Sequence, residues 1–150
     1  MGKGDILIYI DTSCLFKVFR SEPESLAVSE AIEHESEVVV SSLVELEVLT
    51  QLKAERLGGS LTRSRWRQLE AKLSLMRNQP PFEFRQLPAA LFFTALRQHR
   101  NAGDTHCRTL DRLHLSAMEE LRISRLMTLD AGQAKAAIVA GFKIVNPARN

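Results

Sequence analysis

A chain of 150 residues that is 45% apolar and 25% charged can bury about two thirds of its unfolded surface in one domain, which excludes disorder, a coiled coil and any need for a stapling metal. Its two cysteines, Cys14 and Cys107, match no metal-ligand spacing and point to a reducing compartment. The net charge is +2, no apolar run nears the ~18 residues of a membrane span, and only Lys3 precedes the first apolar stretch with no small-residue cleavage site, so the chain reads as cytoplasmic.

The first element is Ile6-Leu7-Ile8-Tyr9-Ile10, an unbroken apolar run that reads as a strand buried on both faces of a sheet. It stops at Asp11-Thr12-Ser13, so a carboxylate stands at a strand's carboxyl end, the edge at which open parallel α/β sheets bind ligands. Cys14, Leu15, Phe16, Val18 and Phe19 suggest a short buried helix. Ser21-Glu22-Pro23-Glu24 carries a capping-box pattern and predicts a second helix over 22–34. Val38-Val39-Val40 marks a second strand over 37–41. From Ser42 the leucines 43, 46, 49 and 52, three apart, predict a long helix that ends near Leu57 at Gly58-Gly59.

Another helix is expected over 60–77, with Leu61, Leu69, Leu73 and Met76 as its apolar members, and Pro80-Pro81 ends it. The stretch 82–87 alternates apolar and polar residues, as a strand near the sheet edge would. Pro88 suits a helix start, and 89–100 carries Leu91, Phe92, Ala95 and Leu96. A turn over 101–104, a helix over 105–121, a strand over 123–129, a helix opened by Asp130 and closed by Gly141, and a strand over 142–145 complete the chain. Strands alternating with helices imply an α/β fold whose parallel sheet is covered on both faces, in a single domain over 1–150 without linker or repeat.

Further acids can be set beside Asp11: Glu45 and Glu47 in the helix after the second strand, Asp111 within a helical pattern, and Asp130 directly after a strand. Clustered carboxylates resist joint ionisation unless a cation sits among them, and oxygen-only ligands favour Mg²⁺ or Mn²⁺ over zinc. Glu45 and Glu47 would point about 200° apart on a helix, so both cannot face one site, and periodicity does not choose between them.

Asp11-Thr12-Ser13, the stretch from Ser41-Ser42 through Glu45-Leu46-Glu47-Val48, Thr109-Leu110-Asp111-Arg112-Leu113-His114-Leu115, and Met127-Thr128-Leu129-Asp130 together resemble the PIN-domain family, closest to its VapC-type toxins. The resemblance runs over nearly the whole chain. It implies a three-layer α/β/α sandwich around a central parallel sheet and a metal-dependent ribonuclease in which Mg²⁺ or Mn²⁺ activates water against RNA. It further implies a small antitoxin as partner and a homodimer. Matched residue by residue, Asp11, Asp111 and Asp130 take the family's first, third and fourth acidic positions. Glu47, six residues after Ser41, fits the second better than Glu45, and Thr12, Ser13 and Thr128 match hydroxyls found beside the metal.

Blander readings stand beside these. Asp130, with Gln133 three residues on, fits a helix N-cap, Asp111 fits a pair with Arg108 or Arg112, and His114 reads as a structural histidine. From Lys53 to Arg77, seven basic residues (53, 56, 63, 65, 67, 72 and 77) face Glu55 and Glu70, a local excess of +5. This basic helical arm at about 53–77 would neutralise RNA phosphates, with Trp66 stacking on a base, or it is a solvated face with Trp66 buried or at a protein contact. A covalent phosphohydrolase using Asp11 would want a second aspartate where Ser13 stands. A PIN-like fold that binds RNA or protein without cutting is the remaining alternative.

Overall fold

The computed structural model describes residues 6–149, so the reading of the leader around Lys3 lies outside the described residues. Among these residues five strands form one wholly parallel sheet: β1 (Leu7–Ile10), β2 (Glu37–Ser41), β3 (Phe82–Arg85), β4 (Arg125–Met127) and β5 (Lys143–Val145). Seven helices flank it: α1 (Thr12–Val18), α2 (Ser25–Glu33), α3 (Ser42–Leu57), α4 (Arg63–Met76), α5 (Leu91–Asn101), α6 (Thr109–Glu120) and α7 (Ala131–Val139). This is the three-layer α/β/α sandwich expected from the alternation.

The strand order is β3-β2-β1-β4-β5. The most apolar run therefore takes the centre: Ile8, Tyr9 and Ile10 have no exposed surface, and Tyr9 lies level with Val39 on one side and Leu126 on the other. From β1 the chain winds outward through β2 and β3, then returns to the other side of β1 for β4 and β5. The reversal makes the β1/β4 boundary a topological switch point, and the crevice beyond the strand ends there is where such sheets place ligands. Asp11 follows β1 and Asp130 follows β4. The Asp11 amide donates to Met127 O at 3.2 Å, which keeps the two strand ends level.

Three helices depart from the sequence reading in instructive ways. In α3 the buried residues are Val44, Val48 and Leu52, and Leu46 is 61% exposed. Leucines three apart rotate by 60° per step around a 3.6-residue helix, whereas residues four apart stay on one face. Val48→Ala removes two buried methyls and is expected to cost roughly 2 kcal/mol in urea unfolding, while Leu46→Ala leaves the midpoint unchanged. In α5 the buried residues are Leu91, Thr94 and Gln98, and Phe92, Phe93 and Leu96 face outward. Thr94 donates to Glu120, and Gln98 bonds Leu115 O at 3.2 Å and Ser116 Oγ at 3.2 Å, so this helix packs on α6 through a polar seam. The α2 helix starts at Ser25 because Lys17 engages both Glu22 and Glu24, and Ser25 Oγ accepts the Glu22 amide in place of the expected cap.

Candidate active site

The strand-end turn after β1 fixes the first acid. Asp11 has extended backbone, caps α1 by accepting the Cys14 amide at 3.1 Å, and is 5% exposed. Its Oδ1 also accepts from Ser13 Oγ at 2.6 Å, and its Oδ2 accepts from the Thr128 hydroxyl. Ser13 Oγ in turn takes the Leu129 amide at 3.1 Å, and Thr128 Oγ1 the Asp130 amide at 3.0 Å. Both carboxylate oxygens are thus steered by the loop after β4. Burial pushes the Asp11 carboxyl above the usual carboxylate range, outweighing the bonds from Ser13, Thr128 and Cys14 that oppose it.

The second acid is set by a relay that begins on the sheet. Ser41, the last residue of β2, caps α3 by accepting the Val44 amide at 3.2 Å, and its hydroxyl lies 2.7 Å from Tyr9 Oη. Tyr9 Oη lies 2.7 Å from His114 Nδ1, and His114 Nε2 meets Glu47 Oε1, which also accepts from Thr12 Oγ1 at 2.9 Å. One polarity gives every proton an acceptor: Ser41 donates to Tyr9, Tyr9 to Nδ1, and Nε2–H to Glu47. Burial is the largest single influence on Glu47 and raises its pKa, but His114, Thr12 and Arg108 together hold it below the usual range. His114 is therefore buried and bonded at both nitrogens, as a structural histidine should be, but one of its bonds orients a site acid. Glu45 instead pairs with Arg77, away from this cluster.

The third and fourth acids come from helix starts. Asp111 lies in the first turn of α6, and Asp130 caps α7 by accepting the Gln133 amide at 2.9 Å. Between them reaches Arg108, whose Nε is 3.0 Å from Asp111 Oδ2 and whose Nη2 is 3.7 Å from Asp130 Oδ2. Gln133 Nε2 donates to Asp111 O at 3.2 Å, which leaves its buried Oε1 without a hydrogen-bond partner. Asp11, Thr12, Ser13, Glu47, Arg108, Asp111, His114, Asp130 and Gln133 line one pocket of about 100 Å³.

Among the described residues no three Asp, Glu, His or Cys side chains stand together as a group placed to hold a metal ion, and oxygens of Asp11, Glu47 and Asp111 accept from protein donors. The donor set nevertheless suits a hard divalent cation: four carboxylates, two hydroxyls and an orphan amide oxygen, with no thiolate among them. Cys14 is buried behind Asp11 with its thiol pushed up by burial, which makes it a packing residue.

Residues 8–139 match the family model described as the PIN domain. The chain belongs to the PIN-domain family. This PIN domain also superposes on solved structures at low identity. They include VapC20 of Mycobacterium tuberculosis, described as a Sarcin-Ricin loop cleaving toxin, at TM-score 0.68 and 18% identity over 93% of this chain and 99% of that one. FitAcB of Neisseria gonorrhoeae gives TM-score 0.72 and 14% identity over 95% and 99%. VapBC2 of Rickettsia felis, bound to a DNA fragment from their promoter, gives 0.70 and 14% over 93% and 98%. These likenesses establish the fold. No curated relative matches the sequence.

Sequence reasoning missed Tyr9 in this PIN domain, and it read Arg108 only as a pair for Asp111 and Gln133 only as the capping partner of Asp130; both contacts are present, and both residues also line the pocket. The reach of Arg108 to Asp130 was hidden because 105–121 reads as continuous helix, whereas α6 begins at Thr109 and Arg108 is its extended cap residue. The basic segment around α4 is partly engaged: the Arg56 guanidinium lies 4.5 Å from the Trp66 ring centroid, Lys72 donates to Val18 O at 2.9 Å, and Arg77 meets Glu45. Trp66 is half-buried with one face covered, while Lys53, Arg63, Arg65 and Arg67 are exposed. Among the described residues no helix is long and apolar enough to cross a membrane.

Proposed function

We propose that this PIN domain is a metal-dependent endoribonuclease and the toxin of a toxin–antitoxin pair. The observation that carries the reading is the convergence of Asp11, Glu47, Asp111 and Asp130 on one pocket at the switch point of the sheet. Asp11, Glu47, Asp111 and Asp130 would hold Mg²⁺ or Mn²⁺. When bound, the ion supplies Lewis acidity toward water and toward the scissile phosphate. The chain's own residues then supply orientation. Ser13 and Thr128 fix the two oxygens of Asp11, Thr12 and His114 fix Glu47, and the exposed cations near α4 attract the RNA backbone.

The toxin assignment draws on the solved relatives, among them a toxin that cleaves the Sarcin-Ricin loop and a toxin–antitoxin complex from Klebsiella pneumoniae. A small antitoxin is the corresponding partner of this chain, and a homodimer in the cytoplasm its working form.

The test is incubation of the purified protein, free of any partner, with a mixed RNA pool under EDTA, Mg²⁺ and Mn²⁺, alongside Glu47→Gln and Glu45→Gln. Cleavage is expected only in the metal lanes. Glu47→Gln is expected to lose roughly a hundredfold or more in rate, and Glu45→Gln to match wild type, because it breaks only a partly exposed pair worth about 1 kcal/mol or less. RNA retained on the protein but intact in every lane would replace this reading with a binding module.

A further inference from the structure

We propose that Arg108 is a resident counter-cation that a divalent ion must displace and that, once displaced, becomes a ligand for the substrate phosphate; the inference rests on the metal-nuclease reading above. Three observations support it. First, the guanidinium lies between Asp111 and Asp130, with a nitrogen 3.0 Å from one carboxylate and 3.7 Å from the other, and its charge also acts on Glu47.

Second, helix electrostatics do not explain a cation at this place. Arg108 is the N-cap residue of α6 and makes no capping bond of its own, and its side chain reaches toward Asp130 at the N-terminus of α7. Both helix ends carry partial positive charge, so without the carboxylates an arginine here is unfavourable. Third, the attachment is light. The side chain is 76% exposed, the Asp130 contact is long, and no buried surface pins the guanidinium in place.

The consequence is an exchange of partners. Asp111 and Asp130, which would help hold a divalent ion, would then have no oxygens left for the guanidinium, and Arg108 would be released from both. The planar fork that gave up two carboxylates matches a phosphodiester, whose two free oxygens it can bond side by side. Metal entry and substrate capture are thereby linked through one side chain: the pocket holds Arg108 until the ion arrives, and releases it toward RNA afterwards.

The test is Mn²⁺ affinity of the full chain, read by the free-Mn²⁺ electron paramagnetic resonance signal, in wild type, Arg108→Gln, Arg108→Lys and Asp11→Asn. Circular dichroism confirms that each variant is folded. Arg108→Gln is expected to bind Mn²⁺ roughly threefold to fivefold more tightly, with Arg108→Lys between it and wild type. At saturating Mn²⁺ the same Gln variant is expected to cleave RNA roughly tenfold more slowly, because a charge-assisted bond to phosphate is lost. Movement of affinity and cleavage in opposite directions is the signature; a merely structural role lowers both. Unchanged Mn²⁺ affinity in Arg108→Gln, with Asp11→Asn still deficient, would overturn the displacement and leave the metal site standing. Tighter Mn²⁺ with undiminished cleavage would overturn the phosphate role. Failure of both wild type and Arg108→Gln to bind Mn²⁺ would overturn the metal-nuclease reading itself.

Discussion

Asp11→Asn is expected to abolish RNA cleavage, by about a thousandfold or more, while raising the melting temperature of the metal-free protein by about 2–4 °C. The two effects share one cause. Asp11 is buried and its carboxyl is held above its unfolded value, chiefly by that burial. A folded pKa above the unfolded one means that the stability contributed by Asp11 is greatest below the unfolded pKa and is lost as pH rises through the folded value. An ionised carboxylate at this buried place therefore weighs against the metal-free fold. Asparagine removes the charge and keeps the shape. Its carbonyl can still accept the Cys14 amide and the Ser13 hydroxyl, and the Thr128 hydroxyl can turn to accept from the new NH₂. Thermal melts in EDTA and cleavage assays in Mn²⁺ check the pair of outcomes. A variant that lost both activity and melting temperature would trace the loss to unfolding.

The second large effect is expected at a residue outside the acidic set. His114→Ala should weaken Mn²⁺ binding by about ten- to a hundredfold, the usual cost of removing a partner that orients a ligand, and should cost roughly 2 kcal/mol of stability. The histidine joins Tyr9 to Glu47, so its removal takes one bond from each and leaves a void beside the sheet. Burial of Glu47 would then be opposed only by Thr12 and Arg108, and its pKa would rise. Metal titration beside urea unfolding separates the two parts. Full Mn²⁺ affinity in a destabilised His114→Ala would assign the histidine to packing alone.

These two residues also mark how far the sequence could be read. Asp11 was legible because five apolar residues in succession demand a central strand, and an acid that ends such a strand has few places to go. The four acidic stretches were legible as a set through their resemblance to a family, and the family-model match bears that out. The choice between Glu45 and Glu47 was hidden from local pattern because each partner lies far along the chain: Arg77 is 32 residues from Glu45, and His114 is 67 from Glu47. The reversed face of α5 was hidden for a related reason. Phe92, Phe93 and Leu96 are on the outside because Gln98 and Thr94 have polar partners on α6, and a periodicity that counts apolar residues cannot weigh a buried amide that is fully bonded.

Asp11 and Asp130 each do a second job, in that they start α1 and α7 by accepting the third amide along. That duty needs a side-chain oxygen but no charge, no metal and no substrate. On the proposed function, a descendant of this protein that had lost nuclease chemistry would still be under pressure to keep Asp, Asn or Ser at both positions, because each cap is worth about 1 kcal/mol to the fold. Acids at these two places in a related gene are therefore poor evidence that its product cuts RNA. Position 47 is the more telling one, since Glu47 caps nothing and among the described residues its hydrogen bonds are to Thr12 and His114, so on the proposed function its loss is where retirement from catalysis would first be written.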